Sequence, residues 1–449
     1  MKIDRGKYQK QYSHLCSEYL YHDRDGSLSN YAKEANNLYN YGLYFVRQSL
    51  FKNHHFLSYS ELNSLIKHKY ELKENMLYRK LPYVQSSQQT LKEVCSIFFA
   101  WTQALKSYKK NPSKFTGRPR IPGYLSKGKR HSFYLTNQNA KIKNGYLIVP
   151  KLSNFKLKLD PNITKIQRVV FKPLSKGYFK IIVQYKINKT IEYREDNGKY
   201  VGIDPGLDNL FTVVDSSFKN HPLLINGRQA KSINHFYYKK MAQYQKLLAQ
   251  NHQLETKIHT KQGPKLIYSQ SNRMVNLTMK RNQQIKDLIH KATKRIIDYT
   301  LSCGANTIIV GKNKHQKRSI NLGKRINQNF YGIPIGLAIE KLKYKANLEG
   351  ITVIETEESY TSQTSFIDNE KPRRENGNWI RKCKGLSPSK RRICRGIFRS
   401  NSGRLINSDV NGAYQIIRKV FSDVKFNEEI LGCVSNPVKY NLFMVSEEN

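Results

Sequence analysis

Residues 199–214, KYVGIDPGLDNLFTVV, constrain the fold more than any other stretch of the sequence. An apolar strand ends in a single acid, Asp204, then Pro205 and Gly206 turn the chain into a second apolar run. A carboxylate at the end of a buried strand is costly unless it is paired or binds a metal ion. The pattern fits either an ordinary Asp-Pro-Gly turn between two strands or a hairpin that presents a metal ligand.

The charge of the chain predicts a polyanionic partner. Its 449 residues, enough for roughly two to four domains, carry 78 Lys and Arg against 33 Asp and Glu, a formal net charge of +45. Such an excess opposes compaction by self-repulsion unless a polyanion is bound. The sequence has no lipidation motif or amphipathic membrane helix. We therefore expect nucleic acid as the partner, and no membrane.

Cysteine usage and the N-terminal sequence indicate the cellular compartment. The six cysteines are far apart and form no CxxC pair, which is typical of a reducing environment. The polar start MKIDRGKYQK resembles neither a signal peptide nor a transit peptide. We expect a protein of the prokaryotic cytoplasm, associated with the nucleoid.

The first half predicts helices followed by strands. Residues 16–110 show helical periodicity, whereas from about residue 134 to 190 apolar and basic residues alternate between Asn-Gly and Lys-Gly turns. The alternation predicts an antiparallel barrel with one basic face. Residues 106–133 contain nine Lys and Arg and no acid. This segment is either a solvated linker or a phosphate-binding loop, and its candidate contacts are Arg118, Arg120, Lys127, Lys129 and Arg130.

The second half predicts a parallel unit beside the Asp204 strand. Residues 233–299 read as a long helical insertion. Buried strands at 307–310 and 351–355 flank a helix at 334–348, which makes a βαβ unit. Two basic loops follow these strands. Their candidate nucleic-acid contacts are Lys312, Lys314, Arg391 and Arg392.

Acidic residues stand out at three places in this basic half: Asp204, the pair Glu357 and Glu358, and Asp409. In a ribonuclease-H-like sheet the first strand is central, the βαβ unit lies beside it, and the last helix packs across both. The acids would then converge, and carboxylates that converge repel one another unless divalent cations neutralise them. Two Mg²⁺ or Mn²⁺ ions held by these carboxylates fit hydrolysis of a phosphodiester by water.

Four motifs carry a family resemblance across essentially the whole chain: VGIDPG, NQNFYGIPIGLAIEKLKYKANLEGI, ESYTSQTS and INSDVNGAYQI. In order and spacing they resemble TnpB, the RNA-guided nuclease of bacterial insertion sequences and a relative of the type V Cas effectors. The resemblance implies a guide RNA from the element's end and cleavage of double-stranded DNA beside a short element-specific motif. It also implies a separate transposase encoded nearby. Asp204 and Asp409 match the first and third metal-binding carboxylates.

The fold class implied is an α+β multidomain protein. A helical recognition module (16–115) and an antiparallel β-barrel or wedge domain (1–15 and 116–196) precede a RuvC, ribonuclease-H-like α/β nuclease domain (197–360). A helical insertion occupies about 230–300 of that domain. Residues 361–404 would form a degenerate zinc-knuckle loop that binds target nucleic acid, and 405–449 the RuvC C-terminal helix and tail.

The second carboxylate of the family is replaced in this sequence. It normally ends the strand before the basic loop, where IIVGKN places Gly311. Either the site is inactive or a glutamate from the neighbouring strand reaches across the glycine, since paired strands lie about 4.8 Å apart. Adjacent strand residues face opposite ways, so we expect one of the two to point inward, Glu358 before Glu357.

The zinc-binding cysteines of the family are also missing. Ser365 and Asp368 stand at the first pair of positions, and Arg399 and Ser402 at the second. Cys383 and Cys394 do not have ligand spacing. We therefore predict no structural zinc.

The sequence thus predicts an RNA-guided DNA endonuclease of a transposable element, with Asp204, Glu358 or Glu357, and Asp409 holding two ions. The alternative is a nuclease-inactive RNA-guided DNA-binding repressor, which Gly311 supports and the two aspartates oppose. A third interpretation is a transposase that acts directly on its own element. It is disfavoured because the sequence lacks the paired histidines and the nucleophilic tyrosine that this chemistry requires.

Overall fold

A computed structural model gives the architecture of two compact units, Ser13–Asn188 and one that begins at Lys189. Among the helices of the described part of the chain, none is long and apolar enough to cross a membrane. The structure describes these residues: 14–187, 191–251, 254–260, 263–268, 270–312, 328, 331–358, 361–370, 373–375, 378–380, 391–394 and 396–442.

The first unit begins with a strand where the sequence predicted a helix. Strand β1 (His14–His22) pairs antiparallel, residue by residue, with a strand that ends at Lys186. The helical prediction from residue 16 was therefore wrong as far as His22, because exposure alternates along this segment with the period of a strand. Three helices follow: α1 (Ser27–Asn53), α2 (Tyr59–Glu71) and α3 (Val84–Lys110).

The remaining strands of this unit form two antiparallel sheets. They are β2 (Phe133–Thr136), β3 (Lys141–Lys143), β4 (Tyr146–Ile148), β5 (Lys156–Lys158), β6 (Ile166–Pro173) and β7 (Tyr178–Lys186). One sheet has the order β1-β7-β6-β2 and the other β3-β4-β5. The predicted antiparallel pairing is found, but among the described residues neither sheet closes into the predicted barrel.

A six-stranded mixed sheet forms the centre of the second unit. Its strands are β8 (Tyr200–Pro205), β9 (Asn209–Asp215), β10 (Leu223–Asn226), β13 (Thr307–Gly311), β14 (Thr352–Thr356) and β20 (Val438–Tyr440). The order is β14-β13-β8-β9-β10-β20. Strands β8, β9 and β10 are antiparallel neighbours, whereas β13 and β14 run parallel to β8. Asp204 therefore lies on a central strand.

The insertion between β10 and β13 is only partly helical. Helices α4 (Arg228–Gln250) and α5 (Asn272–Ser302) enclose a hairpin of β11 (Leu254–Thr260) and β12 (Gly263–Tyr268). The helical prediction for the insertion is wrong in its middle. Thr256, Ile258 and Thr260 are β-branched residues that favour strands, and Pro264 cannot donate within a helix.

The parallel unit and the last helix agree with the sequence patterns. Helix α6 (Ile335–Leu348) connects β13 to β14. Helix α7 (Ser408–Val420) is capped by Asn407, whose side chain accepts hydrogen bonds from the first-turn amides. Buried residues Val410, Ala413, Ile416 and Ile417 turn one face of α7 toward the sheet. Short elements complete this unit: β15 (Arg373–Glu375), β16 (Asn378–Ile380), β17 (Arg392–Cys394), β18 (Ile397–Arg399), β19 (Leu405–Asn407) and α8 (Leu431–Ser435).

Candidate active site

The carboxylate of Asp204 extends from strand β8 toward helix α7 and meets the helix at Gly412, which has no side chain. A Cβ added at Gly412 would stand 2.7 Å from Asp204 Oδ2. Two residues earlier on β8, a Cβ at Gly202 would stand 2.6 Å from the carbonyl oxygen of Ala413. Glycine at both positions lets α7 approach β8 closely, and this close approach packs the Asp204 carboxylate against the first half of the helix.

Asp409 occupies the first turn of α7 and is oriented from β9. The side-chain amide of Asn209 donates to Asp409 Oδ2 at 2.8 Å. The backbone amide of Asp409 donates to Asn407 Oδ1 at 2.9 Å. A carboxylate in the first turn is also favoured by the helix dipole. The acid is thus fixed both by its own helix and by the strand that follows Asp204.

Glu358 fills the space that Gly311 leaves open. Gly311 ends β13 opposite Thr356 of β14. A Cβ at Gly311 would stand 2.6 Å from Glu358 Cγ and 3.1 Å from Glu358 Oε1. Glu357 is exposed, and its backbone carbonyl accepts a hydrogen bond from Lys419 Nζ at 2.8 Å. Of the two glutamates, Glu358 is therefore the one that extends over the glycine.

Electrostatics connects the three acids. Burial raises the pKa of Asp204 well above its ordinary value, the charges of Glu358 and Asp409 raise it further, and Arg392 opposes them. Burial also raises the pKa of Glu358 to about 7, against the opposing charge of Lys419. Glu358 and Asp409 are thus close enough to disfavour the ionised form of Asp204, and a cation beside Asp204 would stabilise that form.

The donor set suits a hard divalent cation, although it is not assembled as a closed cluster. Carboxylate oxygens are the ligands that Mg²⁺ and Mn²⁺ prefer. Among the described residues, no three His, Cys, Asp or Glu side chains form a group that could already hold a metal ion. Asp204, Glu358 and Asp409 are therefore candidate ligands by their chemistry and because the charges of the other two act on Asp204, and metal binding would have to draw them together.

A cleft of about 410 Å³ adjoins Asp409 and carries positive charge. Its wall includes Asn209 together with three cationic side chains, Arg228, Arg392 and Lys439. Asp208 also faces the cleft and is paired with Lys231. A cleft with three cationic side chains beside Asp409 has the charge that suits a phosphodiester.

The predicted nucleic-acid contacts fall into different surroundings. Four side chains are exposed: Arg118, Arg120, Lys127 and Lys129. Arg130 is half-buried and donates to the carbonyl of Leu174 at 2.6 Å. Arg392 lines the cleft, and Lys312 pairs with Glu355 at 2.7 Å. Lys314 lies outside the described residues.

Arg391 requires a correction. The sequence predicted that it contacts nucleic acid, but the side chain is fully buried and pairs with Glu370 at 2.6 Å. Its sequence neighbours are basic, so composition alone could not separate it from the exposed Arg392.

Asn209, Arg228 and Lys439 were not recognised in the sequence. Asn209 follows the Asp-Pro-Gly turn closely, which is the one local signal available. Arg228 and Lys439 carry no motif, and only the pairing of β10 with β20 brings their segments to the same cleft.

Two family models match segments of this chain that include the site residues. Residues 182–317 match the family model OrfB_IS605, described as a probable transposase, and residues 336–416 match the Cas12f1-like TNB domain. A cryo-EM structure of a Cas12f1-sgRNA-target DNA complex is 14% identical over 90% of this chain and 98% of that chain, with a TM-score of 0.33. A CRISPR-Cas12f ternary complex is 14% identical over 87% and 81%, with a TM-score of 0.32. No curated protein matches the chain.

Titration of Glu358 predicts how stability depends on pH. Between its unfolded pKa near 4.5 and its folded pKa of about 7, the folded chain keeps a proton that the unfolded chain releases. The metal-free protein should therefore lose up to about 3 kcal/mol of unfolding free energy as pH rises through this window. Thermal unfolding in EDTA at about pH 5 and about pH 8 measures the loss. Glu358→Gln should reduce it, and an equal loss in both proteins would contradict the assignment.

Gly412→Ala tests the contact between α7 and Asp204. Alanine favours a helix over glycine by about 1 kcal/mol, yet its Cβ would displace Asp204 Oδ2, which lies 2.7 Å away. We expect Mn²⁺ binding, measured by calorimetry, to weaken by about tenfold or more while the unfolding temperature is kept. Gly336→Ala in α6 is the matched control, because a Cβ there meets no atom within 4 Å. Unchanged Mn²⁺ affinity in Gly412→Ala would show that Mn²⁺ binding does not depend on the contact between Asp204 and Gly412.

Proposed function

Because this chain is a TnpB-like relative of the type V effectors, we propose that it is an RNA-guided DNA endonuclease encoded by a transposable element. Its partners are then a guide RNA from the element's end and double-stranded target DNA beside a short motif. A separate transposase encoded nearby would move the element, and the protein would act in the prokaryotic cytoplasm at the nucleoid. Base pairing would select the target, while the protein reads backbone and the adjacent motif.

The second unit is proposed to be a RuvC-type nuclease domain. Three antiparallel strands, β10, β9 and β8, are followed in the sheet by the parallel strands β13 and β14, and α7 packs on β8. This is the strand arrangement that a ribonuclease-H-like site needs. It brings the ends of β8, β13 and β14 and the start of α7 to one edge of the sheet.

One observation carries the proposal of an active nuclease: Glu358 extends over Gly311 and raises the pKa of Asp204. In this proposal Glu358, which follows β14 by two residues, takes the metal-binding role of the carboxylate that the family resemblance places at Gly311. Asp204, Glu358 and Asp409 would hold two Mg²⁺ or Mn²⁺ ions, which supply an activated water and stabilise the leaving 3′ oxygen.

The protein's own groups have separate tasks in this proposal. Asn209 holds the Asp409 carboxylate in place through its 2.8 Å hydrogen bond. Lys419 fixes the backbone beside Glu358 by donating to the Glu357 carbonyl. Arg228, Arg392 and Lys439 would bind phosphates of the strand that enters the cleft.

The net charge supports an RNA partner as well. With a formal net charge of +45, the positive side chains of this protein repel one another, and a bound guide RNA would neutralise much of that charge. The exposed Arg118, Arg120, Lys127 and Lys129 in the first unit are the proposed contacts outside the nuclease domain. We expect poor solubility without RNA.

A nuclease-inactive RNA-guided DNA-binding repressor is the second candidate. It is favoured by the lack, among the described residues, of a preformed group of three metal-binding side chains. It is opposed by the retained Asp204 and Asp409 and by the position of Glu358 over Gly311.

Moving the carboxylate from position 358 to position 311 tests whether Glu358 serves as the second metal ligand. Glu358→Ala should reduce cutting of a matched plasmid by the RNA complex by about 100-fold or more, because the site loses one of its three carboxylates. Glu357→Ala, the matched control, should cut within about threefold of the unmodified protein, since small effects are usual for exposed residues. Gly311→Asp in the Glu358→Ala background places a carboxylate at the end of β13 and should raise cutting about tenfold above Glu358→Ala, with incomplete recovery because Ile416 Cδ1, which a Cβ there would meet at 2.6 Å, must shift.

The outcomes separate the two candidate functions. If the unmodified complex binds the matched plasmid but never cuts it in Mg²⁺ or Mn²⁺, the repressor is correct. If Glu357→Ala is inactive and Glu358→Ala is active, the wrong glutamate has been assigned. Gly311→Asp alone should also lose activity, because its Cβ would stand 2.6 Å from Glu358 Cγ.

The cationic cleft predicts a change in apparent DNA affinity. Arg228→Ala and Lys439→Ala should each raise the DNA concentration for half-maximal cutting by about tenfold, with a maximal rate within about threefold of the original. The salt dependence of binding should fall by about one ion per substitution. Lys291→Ala is the control, because Lys291 is an exposed cation paired with Asp287 on α5. A cleft that does not bind DNA would leave all three variants alike.

A further inference from the structure

Two facing turns of the second unit stand where the family resemblance places a zinc knuckle. The first turn includes Ser365 and Asp368, and the second includes Ser402 and follows β18, which ends at Arg399. Structural zinc requires four sulfur or imidazole ligands in almost all cases. Two hydroxyls, one carboxylate and a guanidinium do not fit that ion, and the guanidinium cation would repel it.

A buried ion pair lies beside these turns. Arg391 donates from both terminal nitrogens to Glu370, at 2.6 Å to Oε2 and 2.7 Å to Oε1. Both side chains are almost completely buried, with 0% and 6% of their surface exposed. Such a bidentate pair is among the stronger polar contacts of proteins, and its geometry is as directional as a metal site.

Hydrogen bonds extend the pair into both turns. Glu370 Oε2 also accepts from the backbone amide of Ser365 at 2.9 Å. Arg391 Nη2 donates to the side-chain oxygen Oδ1 of Asn401 at 2.7 Å, and the backbone amide of Asn401 donates to Asp368 Oδ2 at 2.8 Å. The network therefore connects the first turn to the second through side chains, which is the connection that a zinc ion makes between the two halves of a knuckle.

The first turn is in turn fixed to α7, the helix that carries Asp409. Gln415 Nε2 donates to the Glu370 carbonyl at 3.0 Å, and Arg418 Nη1 donates to the Phe366 carbonyl at 2.9 Å. Asn411 accepts from the Phe366 amide and donates to the Thr364 carbonyl, both at 2.8 Å. Asn411, Gln415 and Arg418 lie on the face of α7 away from solvent.

We propose that the Glu370–Arg391 pair is a metal-free crosslink that replaces the zinc ion of the knuckle and holds α7, and with it Asp409, in position. Arg391 is thus a positioning residue, because its hydrogen bonds reach Glu370 and Asn401 rather than a substrate. The crosslink itself follows from the contacts alone, while its effect on cutting rests on the proposed endonuclease function.

Arg391→Met removes the pair while keeping an unbranched buried side chain. An unpaired buried carboxylate is strongly destabilising, so we expect the unfolding temperature of the full-length protein to fall by about 10 °C. Amide hydrogen exchange within 361–370 and 396–420 should become about 100-fold faster. Arg404→Met is the matched control, because Arg404 pairs with the exposed Glu428 on the surface. It should lower the unfolding temperature by less than about 3 °C.

Restoring the family's ligands provides a rescue. Four substitutions, Ser365→Cys, Asp368→Cys, Arg399→Cys and Ser402→Cys, are made in the Arg391→Met background. With zinc they should bind one ion and recover the lost exchange protection, since metal binding supplies folding free energy directly. Where Arg391→Met yields no folded protein, Arg391→Lys, which keeps the charge and loses the fork, should show an intermediate loss.

Several results would overturn the crosslink: equal stability of the Arg391 and Arg404 variants, an unchanged protein in Arg391→Lys, or stoichiometric zinc in the unmodified protein that protects residues 361–370. These readouts need no DNA cleavage, so they stand if the endonuclease proposal fails. If the protein cuts DNA, Arg391→Met should lower the maximal rate about tenfold and leave the DNA concentration for half-maximal cutting unchanged. The opposite pattern would assign Arg391 to DNA binding.

Discussion

Helix α7 lies directly on the central sheet because three glycines remove the side chains that would hold it away. A Cβ at Gly202 would meet the Ala413 carbonyl at 2.6 Å, one at Gly412 would meet Asp204 Oδ2 at 2.7 Å, and one at Gly311 would meet Ile416 Cδ1 at 2.6 Å. Close packing of this kind cannot absorb an added methyl group without displacement. The burial of Asp204, the orientation of Asp409 and the space occupied by Glu358 all depend on this contact.

Gly311 has two physical consequences that belong together. It places no side chain at the end of β13, and it opens the volume that Glu358, two residues after β14, fills. Burial raises the pKa values of both Asp204 and Glu358, the charges of Glu358 and Asp409 raise that of Asp204 further, and Arg392 and Lys419 act against these shifts. Divalent cations would supply the missing positive charge.

The sequence was informative where one local pattern decides the structure. The apolar runs of β8, β13 and β14 and the amphipathic pattern of α7 specify buried strands and a buried helix face without knowledge of their partners. Strand β1 was missed because its partner is remote: Cys16 pairs with Gln184, and the aromatic residues around it suit a helix as well as a strand. The hairpin within the insertion was obscured by the long helices on either side.

The site residues, too, could be predicted where they stand in a local motif and not where a remote partner positions them. Asp204 and Asp409 stand in recognisable motifs, whereas Asn209 reaches Asp409 across 200 residues of sequence. Arg391 and Arg392 are adjacent cations in one basic segment, yet one is buried against Glu370 and the other lines the cleft. Burial of a charged side chain depends on a partner that the fold supplies, so composition could predict the basic segment but not which of its residues faces nucleic acid.

A structure of the RNA–DNA complex with Mn²⁺ and an uncut target tests the central claim most directly. We predict that the ions are bound by Asp204, Asp409 and a carboxylate oxygen of Glu358, at about the 2.0–2.2 Å typical of such ligands. Gly311 should remain in contact with the Glu358 side chain. Ions held without Glu358, or by Glu357 in its place, would contradict it.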